Sequence, residues 1–127
     1  SIKTTYPPGQ EVIVYPGSVL ASLDETLSPD DLMREHVGYN ITRFPEFYRL
    51  ASLEAPDYFF APEVYLEVDT AMDLKMIRRL IDYFVKQGIE HFSLSQILDL
   101  LKQHPEIMQL NRFEERRWKS LREKSDA

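Results

Sequence analysis

The stretch from Val64 to Leu74 constrains the fold most, because it changes period within a few residues. Val64, Leu66 and Val68 alternate with Tyr65 and Glu67, the pattern of a strand with one buried face. From Ala71 the apolar positions recur at helical spacing. Thr70 followed by Asp73 has the form of a capping box, in which each residue satisfies a free backbone N–H of the other. Asp69 therefore stands where a strand ends and a helix begins. Open α/β sheets hold their ligands at the carboxyl ends of strands, and a carboxylate there can hold Mg²⁺ against a phosphate. On the residues alone two readings of Asp69 stay open: part of a helix cap, or a metal ligand.

The flanking segments extend the pattern. Residues 2–6 read as a short strand, Tyr6-Pro-Pro-Gly-Gln as a turn, and Glu11-Val-Ile-Val-Tyr15 as a β-rich strand bounded by Gly9 and Pro16. A short helix is expected over 17–25. Ser28-Pro-Asp-Asp is a helix start predicted to lead into one helix reaching Arg43, where Pro45 stops it. Residues 44–62 are aromatic and irregular, with 48–53 expected as an edge strand. The strongest helix spans 71–87 on a stripe of Met76, Ile77, Leu80, Ile81, Phe84 and Val85, ending at Gly88. Ser93 and Gln96 form a second capping box before a helix over 94–103, and Pro105 opens another reaching about Leu110.

Strands early and helices late make this an α/β pattern, with too few strands for a self-contained sheet. The whole of 1–127 reads as one partial domain. The chain opens on Ser1-Ile-Lys-Thr-Thr without a methionine, in keeping with a processed chain or a piece of something longer. No cysteine is present, so disulfides and thiolate sites are excluded, and a reducing cytoplasm fits. A net charge of −6 argues against broad nucleic-acid binding. No apolar run approaches a membrane span. Residues 112–124 hold six Arg or Lys against three Glu, which reads as a solvated terminal helix, with Trp118 and Leu121 offering a contact face.

The order of several short motifs carries more than any one of them. Tyr6-Pro-Pro-Gly-Gln-Glu-Val-Ile-Val-Tyr15, Arg34-Glu-His-Val37, Leu53-Glu-Ala-Pro56, Val68-Asp-Thr-x-x-Asp-Leu74, Phe92-Ser-Leu-x-x-Ile97-Leu98 and Pro105-Glu-Ile-Met-Gln-Leu-Asn111 follow one another along nearly the whole chain. This series resembles the C-terminal half of the spore-coat-polysaccharide type of cytidylyltransferase, related to the acylneuraminate and 3-deoxy-manno-octulosonate cytidylyltransferases. The resemblance implies the C-terminal part of a nucleotide-diphospho-sugar transferase α/β sandwich. It also implies transfer of a cytidylyl group from CTP to a sugar for surface polysaccharide, Mg²⁺ as cofactor and subunit contacts in a homo-oligomer. Asp69 matches a metal-binding aspartate of that family. Arg34, Glu35 and His36 match an Arg-Glu-His stretch, Arg34 and His36 being the expected sugar-side residues. Ala71-Met72 departs from the family's Pro-Glu. The family's glycine- and arginine-rich nucleotide loop and its first metal-binding aspartate have no counterpart among four isolated glycines, so no catalytic residue is assigned and this chain alone is expected to be inactive. A different class remains in play: a non-catalytic interaction or dimerisation module that retains this half-fold.

Overall fold

The ends of the helices follow from local chemistry. A computed structural model describes residues 3–31, 34 and 36–116, apart from the Arg43 side chain. Among them are α1 (Gly17–Thr26), α2 (Tyr39–Arg43), α3 (Ala71–Lys86), α4 (Leu94–Gln103) and α5 (Pro105–Met108). Both expected capping boxes form: Thr70 with Asp73 at α3, and Ser93 with Gln96 at α4. At the other end of α3, Gly88 takes φ 73°, the left-handed conformation that a side chain disfavours. Its N–H then donates to the Val85 carbonyl, and the Ile89 N–H to that of Phe84. This is a Schellman closure.

The described residues group into two compact units, residue 3 with 11–54 and residues 4–10 with 55–116. In the second, Ala61, Val64 and Leu66 pack with Met76, Leu80 and Phe84 of α3, Leu98, Leu100 and Leu101 of α4, and Ile107 of α5. Phe92 stacks on Phe84 with ring centroids 4.3 Å apart. The expected stripe on α3 is narrower than its sequence implies, since Ile81 and Val85 are 43% and 60% exposed. The Pro7–Pro8–Gly9 turn docks on the segment around Leu66, whose N–H donates to the Pro8 carbonyl at 2.8 Å. A Cβ on Gly9 would lie 2.6 Å from the Glu67 nitrogen, so only glycine permits this approach.

The other unit holds α1 and α2, and α1 buries no residue. Here the single helix expected from Ser28 to Arg43 does not form: among the described residues 28–31, 34 and 36–38 lie outside any α-helix, and only the five-residue α2 is one. The reason is Gly38, at φ 78°, a value no α-helix carries through. The ring of Tyr15 lies where a Gly38 side chain would be, and its hydroxyl donates to the Val37 carbonyl at 3.2 Å.

A second correction concerns the sheet. No strand forms among the described residues, neither at 11–15, 48–53 and 64–68 nor in the described part of 2–6, where strands are expected. The described architecture is helical with extended segments, and the α/β sandwich itself is not seen. Local pattern sets an extended backbone, but a strand exists only when another strand takes its N–H and C=O groups. The alternation survives in burial only in part: Val64 and Leu66 are inside, but Val68, expected on the same face, is 51% exposed. No described helix is long and apolar enough to cross a membrane.

Candidate functional site

The most densely bonded polar group described is the carboxylate of Asp73, in the first turn of α3. Its side chain faces the core and is fully buried. An ionised carboxylate there must be met by donors on all sides. The turn before α3 supplies the N–H groups of Asp69 (3.1 Å) and Thr70 (2.8 Å) and the Thr70 hydroxyl (2.9 Å). A segment far along the chain supplies the rest: Asn111 Nδ2 and Arg116 Nη1, each at 2.8 Å. Burial pushes the Asp73 carboxyl up, but hydrogen bonds from Arg116, Asn111 and Thr70 outweigh it and bring its pKa down to about 2.

Arg116 is itself buried. Its guanidinium lies 4.3 Å from the centroid of the Tyr65 ring, 3.8 Å from a Glu67 oxygen, and donates through Nη2 to the Asn111 carbonyl at 3.1 Å. Asn111 reaches the Tyr65 carbonyl at 3.0 Å. The last described residues are thus clamped onto the segment leading to Asp69. Arg116 does not lie on a solvated helix as expected: 114–116 are not helical and the residue is only 4% exposed. Trp118 and Leu121 lie outside the described residues.

Asp69 sits at the rim of this cluster, exposed, its backbone N–H tied to Asp73. The side chain that completes the cap is that of Asp73, which leaves the Asp69 carboxylate facing solvent. No group of three or more His, Asp or Glu able to hold a metal occurs among the described residues. A single exposed carboxylate fits Mg²⁺ in one way. Mg²⁺ keeps several waters and is commonly held by one or two carboxylates together with substrate phosphates.

Arg34 and His36 belong to the other unit. Arg34 is drawn to the end of α1, which has no basic residue in its last turn. Its Nη1 pairs with Asp24 at 2.6 Å, its Nη2 donates to the carbonyls of Asp24 (2.7 Å) and Leu27 (2.8 Å), and its Nε to that of Ser28 (2.9 Å). The guanidinium closes the free carbonyls at the negative end of the helix dipole. His36 follows, half-buried, its carbonyl accepting the Tyr39 N–H at 3.0 Å. Glu35 lies outside the described residues.

Reading the sequence missed Asn111 and Arg116 as partners of the Asp69 turn. Asn111 closed the last motif of the resemblance and was visible in that way. Arg116 carried no local signal, since a lone arginine in a charged run looks like any solvated one.

Comparison with known proteins agrees with the motif series. The chain is 32% identical over 90 residues, 70% of its length, to the spore coat polysaccharide biosynthesis protein SpsF of Bacillus subtilis. It is also 32% identical over 78 residues, 61% of its length, to an uncharacterized protein of Methanocaldococcus jannaschii. The aligned stretches make up 36% and 31% of those proteins, so the chain spans about a third of the length of the curated relatives it matches. No family model matches it, and no solved structure matches it either.

Proposed function

With the chain a relative of the spore coat polysaccharide biosynthesis protein SpsF, we propose that it is part of a cytidylyltransferase, its C-terminal portion, that makes a CMP-activated sugar from CTP for surface polysaccharide. The observation that carries this reading is the similarity to SpsF over 90 residues, which takes in most of the ordered motifs that suggested the family. The geometry adds support: Asp69 presents a free carboxylate on a turn whose backbone is fixed from beneath.

In the proposed reaction a sugar oxygen forms a bond to the α-phosphorus of CTP, and the bond to the β-phosphate oxygen breaks to release pyrophosphate. Mg²⁺, when bound, neutralises phosphate charge. Asp69 is the residue of this chain that would hold it, and Thr70 and Asp73 fix the turn. Arg34 and His36 are the proposed sugar-side groups, with Arg34 bracing the loop that presents His36. The proposal carries a cytoplasmic, oligomeric protein with it.

One observation favours the second reading, an interaction module. Val12 and Val14 are each 88% exposed on a β-rich run, an apolar surface of the kind that finds a partner. Calorimetric titration of the full-length protein with CTP, with and without Mg²⁺, separates the two. Mg²⁺-dependent CTP binding that is lost in Asp69→Ala supports the enzyme reading. Absence of CTP binding, with partner or self-association intact, supports the module.

A further inference from the structure

Asp73 does two things at once. Toward the N-terminal side it accepts the N–H groups of Asp69 and Thr70, and so sets the backbone from which the Asp69 side chain projects. Toward the C-terminal side it is gripped by Asn111 and Arg116, 38 and 43 residues further along the chain. A helix cap requires only the first set, and the Ser93–Gln96 box at α4 closes with its own residues alone. The second set costs the fold something. Among the described residues Arg116 Nε and Asn111 Oδ1 are buried without a hydrogen-bond partner, a cost that the contacts of the pair to Asp73, Tyr65 and Glu67 offset.

We infer that Arg116 and Asn111 are positioning residues, which act through the Asp73 carboxylate to hold the Asp69–Thr70 turn in the conformation that presents Asp69 to a metal–nucleotide. Without the distal grip, the Asp73 side chain is free to rotate about its remaining local bonds, and the two N–H groups it orders lose their fixed acceptor. Groups that orient a ligand side chain from behind typically change metal affinity about 10- to 100-fold when removed. The inference rests on Asp69 being a metal ligand, as proposed above, and reaches two residues that lie well away from it in sequence.

The test uses the full-length protein and two readouts besides turnover. One is hydrogen exchange at the Asp69 and Thr70 amides without ligand. The other is Mn²⁺ affinity in the presence of CTP, followed by the electron paramagnetic resonance of free Mn²⁺. In Arg116→Met, compared at a temperature where its circular dichroism is native, the two amides exchange faster and Mn²⁺ affinity falls about tenfold or more. Arg116→Lys, which keeps the charge but not the fork, recovers part of both. Should Arg116→Met fail to fold, Asn111→Ala removes one donor to Asp73 and gives a smaller loss in the same direction. Unchanged Mn²⁺ affinity in Arg116→Met or Asn111→Ala, while Asp69→Asn abolishes binding, overturns the positioning role and leaves the enzyme reading standing. Wild-type Mn²⁺ affinity in Asp69→Asn removes the metal ligand, and this inference goes with it.

Discussion

Helices α1 and α3 were both legible in the sequence, yet they are held in opposite ways. α3 carries its own instructions: a capping box, an acid in its first turn, a Schellman end and a stripe buried in the core. α1 has Pro16 in place of a side-chain cap, no acid in its first turn and no buried residue, and its far end is closed by Arg34 reaching back. Propensity alone makes a helix of this length marginal in water, so tertiary partners decide which one lasts. The candidate metal ligand is attached to the helix that is buried in the core. The sugar-side candidates are attached to the braced one.

The sharpest break in that contrast is Arg116→Met. It strands the buried Asp73 charge, and a loss of about 3–5 kcal/mol is expected in denaturant unfolding. Leu80→Ala, which opens a cavity in the core cluster, is expected to cost about 2–5 kcal/mol, whereas Leu20→Ala, at a half-buried position of α1, should cost well under half of that. Equal costs would erase the distinction between the two helices.

Acid titration refines the first result. The folded pKa of Asp73 lies near 2, below its ordinary 3.8, so the stability it contributes is complete above about pH 5. About 2 kcal/mol of it drains away as pH falls from there through 2. In Asp73→Asn that acid-dependent segment of the stability curve should vanish. The smallest effect expected is from Thr70→Ala, about 1 kcal/mol for a lost cap. Its companion Arg34→Met should fray α1 by circular dichroism and leave α3 untouched.

What the sequence reveals and what it hides divide along physical lines. Caps, glycine stops and α4's bounds depend on neighbours a few residues apart, and Ser93, Gln96 and Gly88 announce them. The Ser28–Arg43 helix fails because Gly38 answers to Tyr15, more than twenty residues back. The strands at 11–15 and 64–68 fail as strands because a ladder needs a second chain segment, and pattern cannot supply one. Asp69 was visible as a turn carboxylate and by resemblance. Arg116 was not, because its burial is decided by Tyr65, Glu67 and Asp73, all distant in sequence.

The most direct test is pyrophosphate release by the full-length protein, with each nucleoside triphosphate offered alongside a panel of sugars and Mg²⁺. CTP- and sugar-dependent release is expected, falling about a hundredfold or more in Asp69→Asn, as loss of metal-based charge stabilisation requires. Release that is unaltered in Asp69→Asn, or no release from any nucleotide, contradicts the account.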